Sequence, residues 1–435
     1  MSDMEDVLDR QERERRARMR KRAASKKAQR ELDEQLGVAV AMLKEENQSR
    51  RGSQEGRASN VDIHRHCRGN NLLEDYFIPQ SLYSDVHFQA RYKMQPHLFN
   101  KVIHDICNYD DYFVQKKNYA GDLGLLPEQK FTAVIRMLAY GSSADQMDEI
   151  VRMGKSTILE SLVRFCDAVE NLCTRDYLRR PTSRDLQRLL QKAEFRGFPG
   201  MIGSIDYMHW QWKNCPFAWQ GDYGNRKGQK SIILEAIAGF DTWVWHAFFG
   251  VASSQNDLNV LGQSLVFNDI LRGECPNITY QVNNTVYQNG YYLADGIYPR
   301  WTTFGYRKDV ERCFGILQAQ WAIIKGAVRL FDEEVLRNIM MTCIILHNMI
   351  VEDEYDYDVD EVYEPDPMNT TLIRIYEKPM GPNGEPVQHD PLVRDGTFMH
   401  RMIERYTEMQ SSYIHEHRQV DLMEHLWAMK GNEGQ

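Results

Sequence analysis

Gly203-Ser204-Ile205-Asp206-Tyr207-Met208-His209-Trp210 places an acid at the end of an apolar, strand-like run that begins at Met201. A second apolar run, Tyr291-Tyr292-Leu293-Ala294-Asp295, also ends in an acid. If the two runs are neighbouring strands of one sheet, their carboxylates lie side by side at the sheet edge. The segment around Asp206 therefore decides the fold class, which we predict to be α/β, with a mixed sheet and flanking helices.

The segments around these runs change between strand and helix periodicity. Ser231–Phe240 and Thr242–Ser253 are rich in Ile, Val, Trp and Phe and predict a hairpin that turns at Asp241. Asn283-Asn284 predicts a second hairpin, because Asn tolerates left-handed φ. The other predicted elements are a helix over 256–267, a helix with Val310, Phe314, Leu317, Trp321 and Ile324 inward, and an apolar helix over 333–351.

A third acid, Glu311, lies in the first turns of the predicted helix that follows Asp295. Carboxylate oxygens are the ligands that Mg²⁺ and Mn²⁺ prefer. Two such ions ~4 Å apart activate a water or a 3′-hydroxyl and stabilise the leaving oxygen when a phosphodiester is cut. Converging acids from two strands and a helix therefore predict a nuclease-type metal site.

Each acid also has an ordinary structural interpretation. Asp206 can satisfy a turn, and Asp295-Gly296 is a common turn dipeptide. Glu311 can pair with Arg307 or Arg312 on its own helix. Asp257 opens the predicted helix over 256–267, so it is either a fourth ligand or a helix N-cap, and sequence alone favours the cap.

The bulk composition predicts a globular protein with two or three domains. The chain has 435 residues, of which 42% are hydrophobic and 26% are charged. No apolar run approaches the ~20 residues that span a bilayer, so we expect no membrane association. The eight cysteines include no Cys-x-x-Cys pair, which argues against structural zinc and for a reducing compartment.

The net charge of −9 hides a strong segregation of charge. Residues 10–30 carry eleven Lys/Arg against two Glu, whereas residues 351–367 carry nine Asp/Glu and no Lys/Arg. The basic cluster around Arg15–Arg22 is either a nuclear-import or nucleic-acid arm or a solvated helix with Glu/Arg pairs. We predict a disordered arm over 1–60, an acidic, Pro/Gly-rich linker over 356–390 and a helical tail over 391–435.

Residues 70–195 predict a helical domain that contains a helix-turn-helix-like segment. Its first helix covers Ala144–Val151, Gly154 suits a turn with positive φ, and Thr157 with Glu160 forms a capping box for the second helix. Lys155 and Arg164 are then candidate phosphate contacts. The alternative is that the two helices simply pack on the next domain.

Several motifs together resemble the DDE nuclease domain of the plant-like branch of the PIF/Harbinger transposase group. The matching stretches are 203–210, 212–216, 256–261, 291–299, 307–315 and 346–350. The resemblance extends over roughly residues 70–355 once the helical stretch before the nuclease domain is included. It implies an RNase H-like fold over 198–355 and a site for Mg²⁺ or Mn²⁺ that cuts and joins DNA ends.

The same resemblance implies roles for individual residues and for partners. Asp206, Asp295 and Glu311 match the acidic triad, and Asp257 matches a fourth acid often assigned to metal. Arg307 and Lys308, which precede the last acid, are expected DNA contacts. The family's nucleases usually act with a separate Myb/SANT-like DNA-binding protein, so we expect such a partner and a nuclear location. The oligomeric state stays open, a homo-oligomer included.

The sequence departs from the family pattern between its second and third acids. Glu311 follows Asp295 by only 16 positions (311 − 295), and a longer Lys-rich segment is missing after Phe304. The eleven-residue connector from Gly296 to Tyr306 can still span up to ~36 Å. One alternative is therefore a domesticated, non-catalytic chromatin or regulatory protein. A second alternative, which shares the metal chemistry, is an RNase H that cuts RNA–DNA hybrids, but the 210–216 and 307–315 stretches fit the transposase group better.

Overall fold

The computed structural model describes residues 64–117, 121, 123–224, 228–253, 277–294, 303–305, 308–328, 330–355, 374–376 and 412–432. The chain divides into a unit over 1–63 and a unit over 64–435, and all described residues lie in the second. The predicted arm over 1–60 and the predicted helix over 256–267 lie outside the described residues.

Helices make up the chain before the sheet. Their bounds are α1 Arg65–Tyr76, α2 Asp85–Tyr92, α3 Pro96–Tyr109, α4 Pro127–Tyr140, α5 Ala144–Val151, α6 Lys155–Tyr177 and α7 Ser183–Phe195. Aromatic rings pack α2 against α3, with the Tyr92 and Phe99 centroids 4.9 Å apart. A large hydrophobic core continues from these helices into the sheet, and a second, smaller core joins α7 to Met201 and Tyr291, so the helices and the sheet stabilise one another.

The turn between α5 and α6 differs from its prediction. The first helix has the predicted bounds, but left-handed φ falls on Arg152 (53°), whereas Gly154 has φ −60° and is the N-cap of α6. The predicted capping box of Thr157 and Glu160 is wrong, because α6 begins at Lys155 and both residues lie inside it. Only the helix pair is therefore seen; a DNA-reading role for it stays a prediction.

The central sheet has five strands in the order β3-β2-β1-β6-β7. Their bounds are β1 Met201–Gln211, β2 Ser231–Ala238, β3 Val244–Ala252, β6 Tyr291–Ala294 and β7 Thr303–Gly305. β2 is antiparallel to β1 and to β3, whereas β6 is parallel to β1 and β7 is parallel to β6. The predicted mixed sheet is thus confirmed, and the shortened connector after Asp295 still contains a strand.

Outside the central sheet, three short strands form a second one in the order β5-β4-β8. Their bounds are β4 Asn277–Val282, β5 Thr285–Gln288 and β8 Arg374–Tyr376. The predicted hairpin is confirmed, with Asn283 at φ 51° in its turn. β8 lies within the segment predicted as a linker. The last helix, α11 (Ser412–Asn432), is held on the hairpin because the Tyr287 hydroxyl donates to Asp421 Oδ2 at 2.7 Å.

Three helices follow the sheet: α8 Lys308–Gln320, α9 Ala322–Lys325 and α10 Glu333–Glu354. The predicted apolar face of α8 is buried, but the helix is interrupted at Trp321, where φ is −119° and ψ is 82°. By length and composition α10 qualifies as a membrane span, yet 72% of its most apolar window is buried inside the protein. It packs on α6 and β3, which accounts for its apolar composition without a membrane.

Candidate metal centre

Asp206 lies in the middle of β1, the central strand of the sheet. Its pairing partner on β2 is Ala236, and only 9% of the residue surface is exposed. The strand continues to Gln211, five positions past the predicted end, because Trp210 and Trp212 are buried beyond the acid. A carboxylate so far inside a sheet needs charged or polar partners to offset its lost hydration, and Asp206 is not without interactions.

The register between β1 and β6 is seen up to two positions before each of the two predicted strand-end acids. The last described pair of this parallel ladder is Ser204 with Leu293. Asp206 follows Ser204 by two positions, and Asp295 follows Leu293 by two positions. Asp295 itself lies outside the described residues. The described strands therefore approach the two acids in step, as adjacent carboxylates on neighbouring parallel strands require.

Glu311 is exposed in the first turn of α8, which packs on β1 and β2. The helix runs in the direction of β1: the Arg312 guanidinium donates to the Phe240 carbonyl beside the start of β1, and the Val328 amide donates to the Gln211 carbonyl at 2.9 Å. Further along, Gln318 Nε2 donates to Met208 Sδ at 3.1 Å.

The Gln318–Met208 contact indicates where Glu311 lies along the direction of β1. Glu311 is two helical turns, about 10 Å, before Gln318 and on the same helix face. Asp206 is about 7 Å before Met208 and on the same strand face. By this spacing Asp206 and Glu311 come at similar levels along β1; that Glu311 closes the site from above stays a prediction.

The start of α8 is anchored independently of any metal. Asp309 is buried and forms a bidentate ion pair with Arg196, at 2.8 Å from Nη1 to Oδ2 and 3.2 Å from Nη2 to Oδ1. Arg196 follows α7, which itself packs on β1. Sequence reasoning did not find this pair, because residues 113 positions apart carry no local signal of contact.

The other predicted site residues divide into three groups. Asp257, Asp295 and Arg307 lie outside the described residues, and Lys308 is exposed at the first position of α8. The ammonium of Lys155 pairs with Asp145. Arg164 pairs with Asp110 at 3.2 Å and with Glu160 at 3.0 Å. The two cations on α6 are thus exposed but already paired with acids, and DNA contact by either residue stays a prediction.

Among the described residues no group of three or more His, Cys, Asp and Glu side chains is arranged to hold a metal ion. Asp206 and Glu311 are among the described residues, whereas Asp257 and Asp295 are not. The two described acids fit a hard divalent cation in their chemistry, since both offer carboxylate oxygens and neither is a sulfur or imidazole ligand.

The motif Leu346-His347-Asn348-Met349-Ile350 has a structural role that the sequence did not reveal. Asn348 Nδ2 donates to the carbonyls of Tyr177 and Val244, and its Oδ1 accepts from the Val244 amide at 2.9 Å. His347 Nε2 lies 2.9 Å from the Thr242 carbonyl, and burial lowers the pKa of this histidine. The motif therefore fixes the β2–β3 turn and α6 to α10; polar residues in an otherwise apolar helix were the available signal.

The part of the chain that contains most of the described strands is similar to known proteins. Residues 175–306 and 305–358 match the family described as plant transposon protein, and residues 69–107 match a domain of unknown function. "Protein ALP1-like" of Arabidopsis thaliana is 24% identical over 278 residues, which cover 58% of this chain and 67% of that protein. No solved structure matches the chain.

Proposed function

Because this chain is a relative of the plant transposon proteins of PIF/Harbinger origin, we propose that it is a metal-dependent DNA endonuclease and strand transferase. The observation that carries the proposal is the alignment of β1 and β6, whose last described pair lies two positions before Asp206 and two before Asp295. The order and directions of the five strands support an RNase H-like arrangement of the sheet.

In this proposal the ligands are carboxylates from four predicted or described elements. Asp206 and Asp295 hold Mg²⁺ or Mn²⁺ from the strands, Glu311 from α8, and Asp257 is the fourth ligand. Bound metal ions supply an activated water or 3′-hydroxyl and stabilise the leaving oxygen. The protein's own part is to keep the acids deprotonated and in register, to hold α8 over β1 through Asp309, and to orient the phosphodiester.

Positive charge beside Glu311 and in the N-terminal sequence supports a nuclear, DNA-bound role in the same proposal. Lys308 is exposed three positions before Glu311, and residues 10–30 are strongly basic in sequence. Cations at these places attract phosphates without reading base sequence. We propose that target selection and nuclear entry depend on a Myb/SANT-like partner protein.

The test is cleavage of a labelled DNA duplex by the full chain, with and without the Myb/SANT-like partner, in Mn²⁺, in Mg²⁺ and in EDTA. Asp206→Asn should abolish cutting, whereas Asp111→Asn, a matched loss of charge at an exposed site in the helical region, should leave it unchanged. Competition with an RNA–DNA hybrid separates a DNA nuclease from an RNase H. Cutting that survives EDTA or Asp206→Asn would overturn the proposal.

The short spacing between Asp295 and Glu311 favours a second candidate, a non-catalytic chromatin or regulatory protein that retains the fold. This candidate predicts that partner binding and nuclear residence are unchanged in Asp206→Asn and Asp295→Asn. It becomes the better account if the wild-type chain, with its partner, neither cuts DNA nor is stabilised by Mn²⁺.

A further inference from the structure

The outer side of α7 carries a row of cations at intervals of about one helical turn. Residues four positions apart lie on the same side of a helix, and the opposite side of α7 is apolar and buried. The row consists of Arg184, Arg188, Lys192 and Arg196. Residues 179–196 contain six Lys/Arg and two Asp/Glu, against a net charge of −9 for the whole chain. Positive charge is therefore concentrated on this helix.

Three cations from two helices converge on Phe240, in the turn between β2 and β3. The Arg188 guanidinium and the Lys192 ammonium lie 5.8 and 5.9 Å from the centre of the Phe240 ring. The Arg312 guanidinium, from α8, donates to the Phe240 carbonyl. We call the surface formed by Arg184, Arg188, Lys192 and Arg312 the α7–α8 cationic surface.

Buried acids beneath this surface offset only part of its charge. Arg188 pairs with Asp241 at 2.7 Å, and the Asp241 side chain is fully buried. Asp309 is shared by Arg196 and Arg312, at 2.8 and 3.4 Å, so that group of three keeps one positive charge. The two acids hold the guanidinium groups in place, which lowers the conformational entropy that binding costs.

The outer end of the row adds further charge. Arg184 is exposed in the first turn of α7. Cations held near one another repel, and a bound anion relieves that repulsion. Four residues of helix advance ~6 Å, so the row presents evenly spaced charges along a line. A nucleic-acid backbone is a linear anion whose charges also repeat evenly, which makes it the ligand that this arrangement fits.

The α7–α8 cationic surface lies beside the candidate metal centre and not within it. Arg312 is the residue after Glu311 on α8. β2 ends level with Ser204 on β1, and Phe240 follows two positions later, so Phe240 lies about four strand residues, ~13 Å, from the level of Asp206. That distance is roughly four nucleotide steps of ~3.4 Å. Phosphates at this surface thus belong to DNA that flanks the cut bond.

We propose that the α7–α8 cationic surface binds the phosphates of double-stranded DNA on one side of the bond that is cut. This inference rests on the proposed function for the choice of DNA as the ligand, but it concerns binding and not catalysis. Contacts to phosphates position a duplex and do not read its bases, so the surface holds duplexes of any sequence.

The experiment measures the affinity of the full chain for a labelled duplex over a range of KCl concentrations, in EDTA so that no cutting occurs. Loss of one phosphate contact makes the slope of log affinity against log salt less steep by about 0.9. We expect this change in Arg184→Gln and in Lys192→Gln, with affinity about fivefold lower in each at about 0.15 M salt. The double variant should change the slope by about 1.8, and Lys192→Arg should keep the wild-type slope.

Arg91→Gln is the matched control, because Arg91 is an exposed arginine in the last turn of α2, outside the α7–α8 cationic surface. It should bind with the affinity and slope of the wild type. Arg184→Gln changes an exposed side chain, so it tests the surface even where Lys192→Gln disturbs the turn at Phe240.

The inference is overturned if the double variant keeps the wild-type slope. It is also overturned if polyglutamate of equal total charge displaces the labelled duplex as effectively as unlabelled duplex does, since the surface then suits an acidic protein. Metal-dependent cutting decides the nuclease proposal separately. A chain that cuts DNA but keeps its slope in the double variant loses only this inference, and one that binds duplex through Arg184 and Lys192 but never cuts loses only the nuclease.

Discussion

The Arg196 guanidinium donates two hydrogen bonds, 2.8 and 3.2 Å long, to the Asp309 carboxylate. This ion pair holds α8, the helix that carries Glu311, to the segment that leads into β1. Asp309 is buried, and Arg312 approaches the same carboxylate at 3.4 Å. Two positions separate Asp309 from Glu311. The pair is therefore a positioning device for the third acid of the candidate site, although it takes no part in the proposed chemistry.

Removal of the guanidinium should lower both stability and cleavage. Among the described ion pairs, Arg196→Met leaves the buried carboxylate with Arg312 alone. Because the Arg196 side chain keeps 29% exposure, we expect a loss of about 2 kcal/mol in the free energy of unfolding, below that of a fully buried pair. Chemical denaturation measures this loss. Arg196→Lys should recover part of it but not the two-pronged geometry.

Arg184→Met is the control for that substitution, since Arg184 is exposed on the same stretch, in the first turn of α7. Its free energy of unfolding should match that of the wild type within ~0.5 kcal/mol. Equal losses in Arg184→Met and Arg196→Met would show that the Arg196–Asp309 pair does not hold α8.

Metal binding at Asp206 should be detectable without any reaction. A ligand that binds only the folded state at 100 times its Kd stabilises it by about 2.7 kcal/mol, so Mn²⁺ should raise the melting temperature of the wild type. Asp206→Asn should lose this rise, measured against its own metal-free melting temperature, because the amide lacks the charge that binds a divalent cation. A rise of the same size in Asp206→Asn would place the metal elsewhere.

The fold was predictable where local pattern and tertiary packing agree. The β2–β3 hairpin, the turn at Asn283 and the inward face of α8 follow from apolar periodicity and turn residues, which act over a few positions. β7 escaped prediction because three residues carry no period. The break at Trp321 escaped too, because the apolar repeat continues across it to the buried Ile324.

The candidate site was predictable as a set of residue types, but its supports were not. An acid at the end of an apolar run is visible in sequence, and Asp206 indeed lies on the central strand. That Asp309, and not Glu311, makes the buried ion pair depends on which helix face meets α7. That choice is made by packing between distant segments, for which one sequence holds no signal.

The buried histidine of α10 should make stability depend on pH. Burial lowers the pKa of His347 below its usual value of 6.5 in the folded state. Between the two pKa values the unfolded chain binds a proton that the folded chain does not, so the free energy of unfolding falls as the pH falls below 6.5. From pH 6.5 to 5.5 one such group removes at most about 1 kcal/mol.

His347→Gln removes this titration, so its free energy of unfolding should change less than that of the wild type between pH 7.5 and 5.5, as urea denaturation at each pH can measure. Burial also lowers the pKa of His425, so His425→Gln should flatten the same profile separately and the double variant should be flatter still. Identical pH profiles for His347→Gln and the wild type would contradict the assignment.

Among the polar residues on α10, replacement by the isosteric acid should destabilise the protein most at Asn348. Its Nδ2 donates to the Tyr177 carbonyl at 2.7 Å and to the Val244 carbonyl at 2.8 Å, in a fully buried position. Asn348→Asp keeps the shape but turns the donor into a charged acceptor that faces two carbonyl oxygens. We expect the free energy of unfolding to fall by about 3 kcal/mol or more at pH 7. The fall should be smaller at pH 5, because the introduced carboxyl gains a proton and can donate a hydrogen bond again.

Asn338→Asp provides the comparison on the same helix, because Asn338 Oδ1 accepts from Arg337 at 3.1 Å and a carboxylate there still accepts. If urea denaturation gives both variants the same free energy of unfolding, the Asn348 contacts do not hold α10 to α6 and β3.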